Sequence, residues 1–331
     1  MKRLVFVLLF LSIAFGMNAQ KILQTFKKFS NHQDSNYVSV YPQTYSLKTY
    51  VSFRSFTLKL TDLDGFGNPI SYKPNTPIRL GFAGSYKNIR FGFGVNLPSF
   101  YPDRGTTKAL GLFINTQTNI FSWGFDFYFL RNKGYYLDDP QIHLPLWDKS
   151  MDYPFRSDIR TINIGLATHL VFSKKFSLKA AIVQSEKQLK SAGGIALDLA
   201  IKYSGLKNDS TLIPYSQQPY YEDITKFRKG GFLTFAISPG YAYTYVLNDF
   251  YSTTLGYLGI GLQTQSYLKE NQRAWGIQLR PKIKFMQIIG YTVNTYFANV
   301  SFTYENNLVR INNTRFNSSF VSLNIGGGFR F

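Results

Sequence analysis

From Ser46 to its last residue the chain is a succession of short runs in which every second position is apolar. In Phe316 to Phe331 (FNSSFVSLNIGGGFRF), Val321, Leu323, Ile325, Phe329 and Phe331 share one side of an extended chain. Ser322, Asn324, Gly326, Gly328 and Arg330 share the other. This two-residue period predicts a strand with one greasy face and one polar face. A soluble sandwich would use the same alternation. The aromatic end residue, lying on the strand itself, favours a closed barrel, whose last strand must hydrogen-bond to its first.

The same pattern recurs upstream. Ser46 to Leu60 alternates through Leu47, Thr49, Val51 and Phe53, then shifts phase at Leu58, as a bulged strand does. Ile78 to Phe82 and Ile89 to Leu97 form a hairpin around Lys87 and Asn88, and Ala109 to Asn115 is the next strand. Phe121, Trp123, Phe125, Phe127 and Phe129 are the strongest alternation in the chain, with Ser122, Gly124, Asp126 and Tyr128 opposite. No amphipathic helix is predicted to cover that aromatic band. Further runs begin at Ile162, Phe176, Ile195, Leu233, Tyr251, Trp275 and Tyr296. Loops are expected at 62–77, 98–105, 131–157, 206–230 and 306–315.

Thirteen segments result, whereas single-chain bacterial barrels have an even number of strands with both ends on the periplasmic side. Counting from Ser46 and counting back from Phe331 disagree between Phe129 and Ile195. The expected fold is an all-β, antiparallel transmembrane β-barrel of 12 strands, or 14 if 131–157 or 187–195 hides another. Residues 45–331 form that barrel, and 20–44 are a periplasmic lead-in or short plug.

Targeting and composition support this. MKRLVFVLLFLSIAFGMNAQ has two basic residues, an apolar run of about a dozen and a small-residue end, so 1–19 reads as a secretory signal peptide, too short for a spanning helix of about 20 residues. Its removal takes Lys2 and Arg3 away and lowers the formal charge from +19 to +17. The basic residues form no dense stripe on an exported chain, so no nucleic-acid partner is expected. The 24 Tyr and 31 Phe suit lipid-facing strands with interfacial girdles. Without cysteine, neither a disulfide frame nor a lipidated amino terminus is available. The predicted location is the outer membrane, with its lipid and lipopolysaccharide as surroundings. Phe331 is the expected signal for the barrel assembly machinery.

The chemistry is sparse. Of three histidines, His32 lies in the lead-in, His143 in a loop, and His169 on a predicted lumenal face; Ser157 and Asp158 are too far along the His169 strand to complete a triad with it. A lipid-modifying enzyme would need partners from neighbouring strands. No metal motif is present: Asp62 to Asn68 (DLDGFGN) lacks the closing acidic residue of a calcium loop, and no cofactor is expected. GGG at 326–328 lies within a strand, where it would clear the lumen or permit curvature. The polar faces place Asp126, His169, Asp198, Lys202, Arg280, Lys282, Lys284 and Arg330 along the lumen, with Glu305 beside them. In an open pore this excess of positive charge would favour small anionic solutes. In a closed barrel the same groups would pair across the interior as a hydrated core, and binding or adhesion would fall to the long loops.

The segments DSNYV (34–38), GSYKNIRFGFGVNLP (84–98), RNKGYY (131–136), RSDI (156–159), QLKSAGG (188–194) and GYAYTYV (240–246) together resemble the Bacteroidetes family known as domain of unknown function 4421. The resemblance implies an exported, barrel-like protein and carries no activity. Oligomeric state is not legible.

Overall fold

The computed structural model describes residues 33–76, 78–86, 89–97, 101–117, 124–269 and 272–331. The expected signal peptide, His32, the expected turn at Lys87 and Asn88, Phe121 and Trp123 lie outside the described residues. The strands are β1 (Val38–Val40), β2 (Tyr45–Phe56), β3 (Leu58–Asp62), β4 (Ile70–Lys73), β5 (Ile78–Tyr86), β6 (Ile89–Asn96), β7 (Lys108–Gln117), β8 (Gly124–Leu137) and β9 (Phe155–Val171). They continue with β10 (Glu186–Gln188), β11 (Ala192–Lys207), β12 (Phe227–Leu247), β13 (Phe250–Lys269), β14 (Gln272–Thr292), β15 (Tyr296–Glu305), β16 (Leu308–Ile311), β17 (Thr314–Asn317) and β18 (Phe320–Arg330).

Twelve of these close an antiparallel ring in the order β2, β5, β6, β7, β8, β9, β11, β12, β13, β14, β15, β18 and back to β2. The seam runs from Ser46 opposite Arg330 to Phe56 opposite Phe320. Beyond it, Tyr45 and Phe331 exchange N–H···O bonds of 3.1 and 3.0 Å, and their rings stack with centroids 5.8 Å apart. Closure pairs the first strand of the ring with the last, as a lipid environment demands. The alternation decides which face meets lipid. On β14, Trp275, Ile277 and Leu279 are 72%, 70% and 65% exposed, whereas Lys282 and Lys284 are 5% and 7% exposed. No helix among the described residues is long and apolar enough to cross a membrane; the crossing elements are strands. At the end carrying Tyr45 and Phe331, here the terminal end, Tyr86, Tyr245, Phe250 and Tyr296 are also exposed and complete an aromatic girdle.

The odd thirteenth segment was Phe176 to Ser185, expected as a strand. It is instead a turn of helix, Leu178–Ala181, capped by Ser177 Oγ, which accepts from the Ala180 N–H at 3.0 Å. Phe176, Leu178, Lys179, Ala181 and Val183 are all buried, so the segment has no lipid-facing side. It folds into the terminal mouth of the barrel, where the following β10 pairs with β1 of the lead-in. With it removed, the two counts agree, and the loop 208–226 lies at the end opposite the termini.

That distal end is also more ordered than its loop composition predicts. The expected loops 62–77 and 306–315 contain β4, β16 and part of β17. Strand β4 pairs with β3 and also with the end of β8, Tyr72 opposite Leu137, and so joins the two inside the mouth. The reason is burial: Leu60, Ile70, Tyr72, Tyr135, Ile159, Leu212, Ile213, Tyr221, Phe227, Ile311 and Phe316 belong to one apolar cluster. Each large side chain so buried contributes about 1.5–3 kcal/mol. Polar groups are stitched into it: Tyr72 donates to the Leu212 carbonyl at 2.7 Å, and burial pushes its hydroxyl up to about 12. Tyr221 donates to the Asn68 carbonyl at 2.9 Å and accepts from the Asp62 N–H at 3.1 Å.

Candidate functional site

Between the terminal plug and the distal seal lies a cavity of about 240 Å³, floored by Ala181 and Ile182 and roofed by Phe56 and Phe320. Its wall is two-sided in chemistry. Leu130, Met286 and Ile288 are apolar, while Lys48, Arg54, Arg90, Lys202 and Lys284 bring cations, against Asp126 and Glu305.

The strand register brings most of the sequence-predicted lumenal residues into one network. His169 on β9 is opposite Asp198 on β11, with Nδ1 2.7 Å from Asp198 Oδ1. Its Nε2 is 2.6 Å from Asp126 Oδ2 on β8. Lys284 reaches across the lumen from β14 to Asp198 Oδ1 at 3.3 Å. A second strut joins β11 and β14 to β15, with Lys202 and Lys282 both on Glu305, the latter at 2.7 Å. Lys282 also donates to the Asn306 carbonyl at 2.7 Å. Arg280 stands apart from this network, beside Arg310. Arg330 is a plug contact: it donates to the Gln184 carbonyl at 2.6 Å, to Gln184 Oε1 at 3.2 Å and to the Val293 carbonyl at 2.6 Å, and stacks on Tyr41 at 3.8 Å.

Sequence reading passed over the cations of the opposite wall. Lys48 donates to Asn299 Oδ1, Arg79 to the Gly94 carbonyl and Arg90 to the Ile182 carbonyl. All three bonds run to neutral oxygens, so positive charge accumulates on β2, β5 and β6. The signal was available: Lys48 and Arg54 occupy the alternate positions to Leu47, Val51 and Phe53, as Arg90 does to Ile89 and Phe91. Burial of such groups is costly unless they meet hydrogen bonds, water or an anion.

The arrangement is poorly suited to a hydrolytic triad. Each nitrogen of the His169 ring faces a carboxylate, which leaves neither to take a proton from a nucleophile. The two carboxylates approach opposite sides of the ring, and among the described residues no three His, Asp or Glu side chains are placed to hold one metal ion. His143 is buried in the distal loops, where its carbonyl accepts from Ser216 Oγ at 2.7 Å. Asp158 sits above the apolar belt and is engaged by Arg156 through two bonds of 2.8 Å and by the Asp209 and Ser210 N–H groups. These contacts, the Arg156 bond foremost, hold its carboxyl well below the usual carboxylate range.

A family model described as domain of unknown function (DUF4421) matches residues 32–331. Among solved structures, the outer-membrane protease OmpT from Escherichia coli is 9% identical, with 88% of this chain and 98% of that chain covered and a TM-score of 0.39. The toluene transporter TodX from P. putida is 10% identical over 88% and 91%, with a TM-score of 0.29. The attachment invasion locus protein Ail of Yersinia pestis is 10% identical over 86% and 99%, with a TM-score of 0.20. None of the curated proteins matches in sequence.

Proposed function

We propose that this chain, which belongs to the DUF4421 family, is an integral outer-membrane β-barrel that holds small anions in a closed basic chamber and does not conduct in this conformation. The observation that carries the reading is the chamber itself: Lys48 and Arg90 on its wall meet neutral oxygens, beneath an apolar seal and above a packed plug. The two cross-lumen contacts, Lys284 to Asp198 and Lys202 to Glu305, further favour a binding barrel over a passive pore. Export would follow from the signal peptide 1–19, with Phe331 offered to the barrel assembly machinery and membrane lipid or lipopolysaccharide against the apolar belt.

Two measurements test this. In planar bilayers the wild-type protein is expected to be silent. The chain has no cysteine, so Ser301→Cys places a single thiol on the chamber wall. With residues 174–190 replaced by a short turn, that thiol should react faster with a negatively charged methanethiosulfonate than with a positively charged one. Replacing Lys48 and Arg90 by Met should abolish the preference. Steady wild-type conductance, or faster reaction with the cationic reagent, would overturn the reading.

A further inference from the structure

Between β6 and β7 the barrel wall lacks a ladder although both strands run on. The β5–β6 ladder extends to Arg79 opposite Asn96, and the β7–β8 ladder to Lys108 opposite Lys133. Between them, the β6–β7 ladder ends at Phe93 opposite Leu112. Gly94 to Asn96 and Lys108 to Gly111 therefore run on as strand edges with no ladder joining them. One side-chain bond crosses the split, from Asn96 Nδ2 on β6 to the Ala109 carbonyl on β7 at 3.0 Å, while Arg79 Nη2 on β5 caps the Gly94 carbonyl of the β6 edge at 2.9 Å. The Arg79 guanidinium lies so close to Gly111 that a Cβ there would be 2.6 Å from Nη1.

The split opens through an apolar outer face. Val95 and Leu110 are 55% and 62% exposed, with Phe93 and Leu112 also exposed just below. Arg131, paired with Leu110, and Lys108 are exposed at its upper margin. On the inner side Arg79 is within coulombic reach of Arg54, which lines the chamber beside Ala83, Gly92 and Leu130. Backbone groups facing hydrocarbon must be satisfied, and a ladder does this cooperatively. A single side-chain bond can be exchanged on its own, so the wall parts here at lower cost than along a ladder. The Arg79 guanidinium is buried on the inner side of this split, which is costly unless hydrogen bonds or an anion meet it.

We infer that the β6–β7 split is a lateral port through which a single-chain amphipathic carboxylate passes between the membrane and the chamber. Arg79 receives the headgroup, and the Leu130, Met286 and Ile288 wall takes the chain. This rests on the chamber being an anion site. Exposed Lys108 and Arg131 would draw the headgroup to the outer margin, and Arg54 would draw it inward.

The test uses full-length protein in liposomes with dansyl-undecanoate as probe, read by its saturable rise in emission. Extending the β6–β7 register places Val95 opposite Leu110, so Val95→Cys with Leu110→Cys can staple the port in a chain otherwise free of cysteine. Wild type and the reduced double variant are expected to bind alike, and the oxidised variant to bind at least about tenfold more slowly, with reductant restoring the rate. Arg79→Gln, which needs no staple, should weaken binding by about tenfold or more. Equal rates for oxidised and reduced protein, unchanged affinity in Arg79→Gln, or no saturable binding by wild type would each overturn the port. The underlying reading fails separately. Loss of reagent preference at Ser301→Cys removes the chamber, whereas preserved preference with staple-insensitive probe binding removes the port alone.

Discussion

Arg330→Ala should unlatch the terminal plug. The guanidinium makes two hydrogen bonds to Gln184 in the plug, at 2.6 and 3.2 Å, and stacks on Tyr41 of the lead-in at 3.8 Å. A charge-assisted bond contributes about 1.5–3 kcal/mol and a cation–π contact about 0.5–2 kcal/mol. Water entering the vacated space recovers part of this, which leaves about 2–4 kcal/mol on the closed side of the plug equilibrium. At 1.4 kcal/mol per decade, the open population rises roughly 30- to 700-fold. Modification of Ser301→Cys by an anionic methanethiosulfonate reads that population directly, because reaction is slow relative to opening and closing. Asp249→Asn is the control. Its ion pair with Lys187 is 2.6 Å long but lies at the rim, where such pairs contribute about 0–1 kcal/mol, so the rate should rise less than about fivefold. If Arg330→Ala reacts no faster than its parent while running as a folded, heat-modifiable barrel, the latch does not exist.

Three further outcomes follow from the same geometry. Asp198→Asn leaves His169 and Lys284 short of a buried carboxylate and should cost about 3–5 kcal/mol, seen as a lower temperature for loss of folded gel mobility; Asp198→Asn with Lys284→Met should recover part of it. Gly165→Val drives a side chain into the ring of Tyr128 on the adjacent strand and should lower the same transition, with Tyr128→Ala as suppressor. Asp158 tethers residues 209 and 210, and its carboxyl is depressed in the folded protein. That stability is fully present above the unfolded carboxyl value of about 3.9 and is lost only as pH falls below it. Proteolysis within 208–226 should therefore be unchanged from pH 8 to pH 5 in the parent, yet rapid at neutral pH in Asp158→Asn.

The closed twelve-stranded ring, the pairing of Phe320–Arg330 with Tyr45–Phe56, and the side each residue shows to lipid were legible in the chain, because hydrocarbon and lumen act on residues one at a time with a period of two. The basic interior was half legible. Asp126, His169, Asp198, Lys202, Lys282 and Lys284 were visible as polar-face residues, but the periodicity of one strand says nothing about which residue of another it meets. That Lys284 crosses from β14 to Asp198 on β11, and Lys202 from β11 to Glu305 on β15, follows from the register of the whole ring. The plug was misread as a strand because Phe176 to Ser185 is apolar enough to alternate, and only burial on every side shows that it faces no lipid. The wall's discontinuity between β6 and β7 leaves no mark in the alternation, since Gly94 to Asn96 and Lys108 to Gly111 keep the strand period whether or not they pair. Local pattern determined what this chain is made of and how it closes. Tertiary structure decided what is shut, what is charged and where the wall can part, because those depend on contacts between residues far apart in sequence.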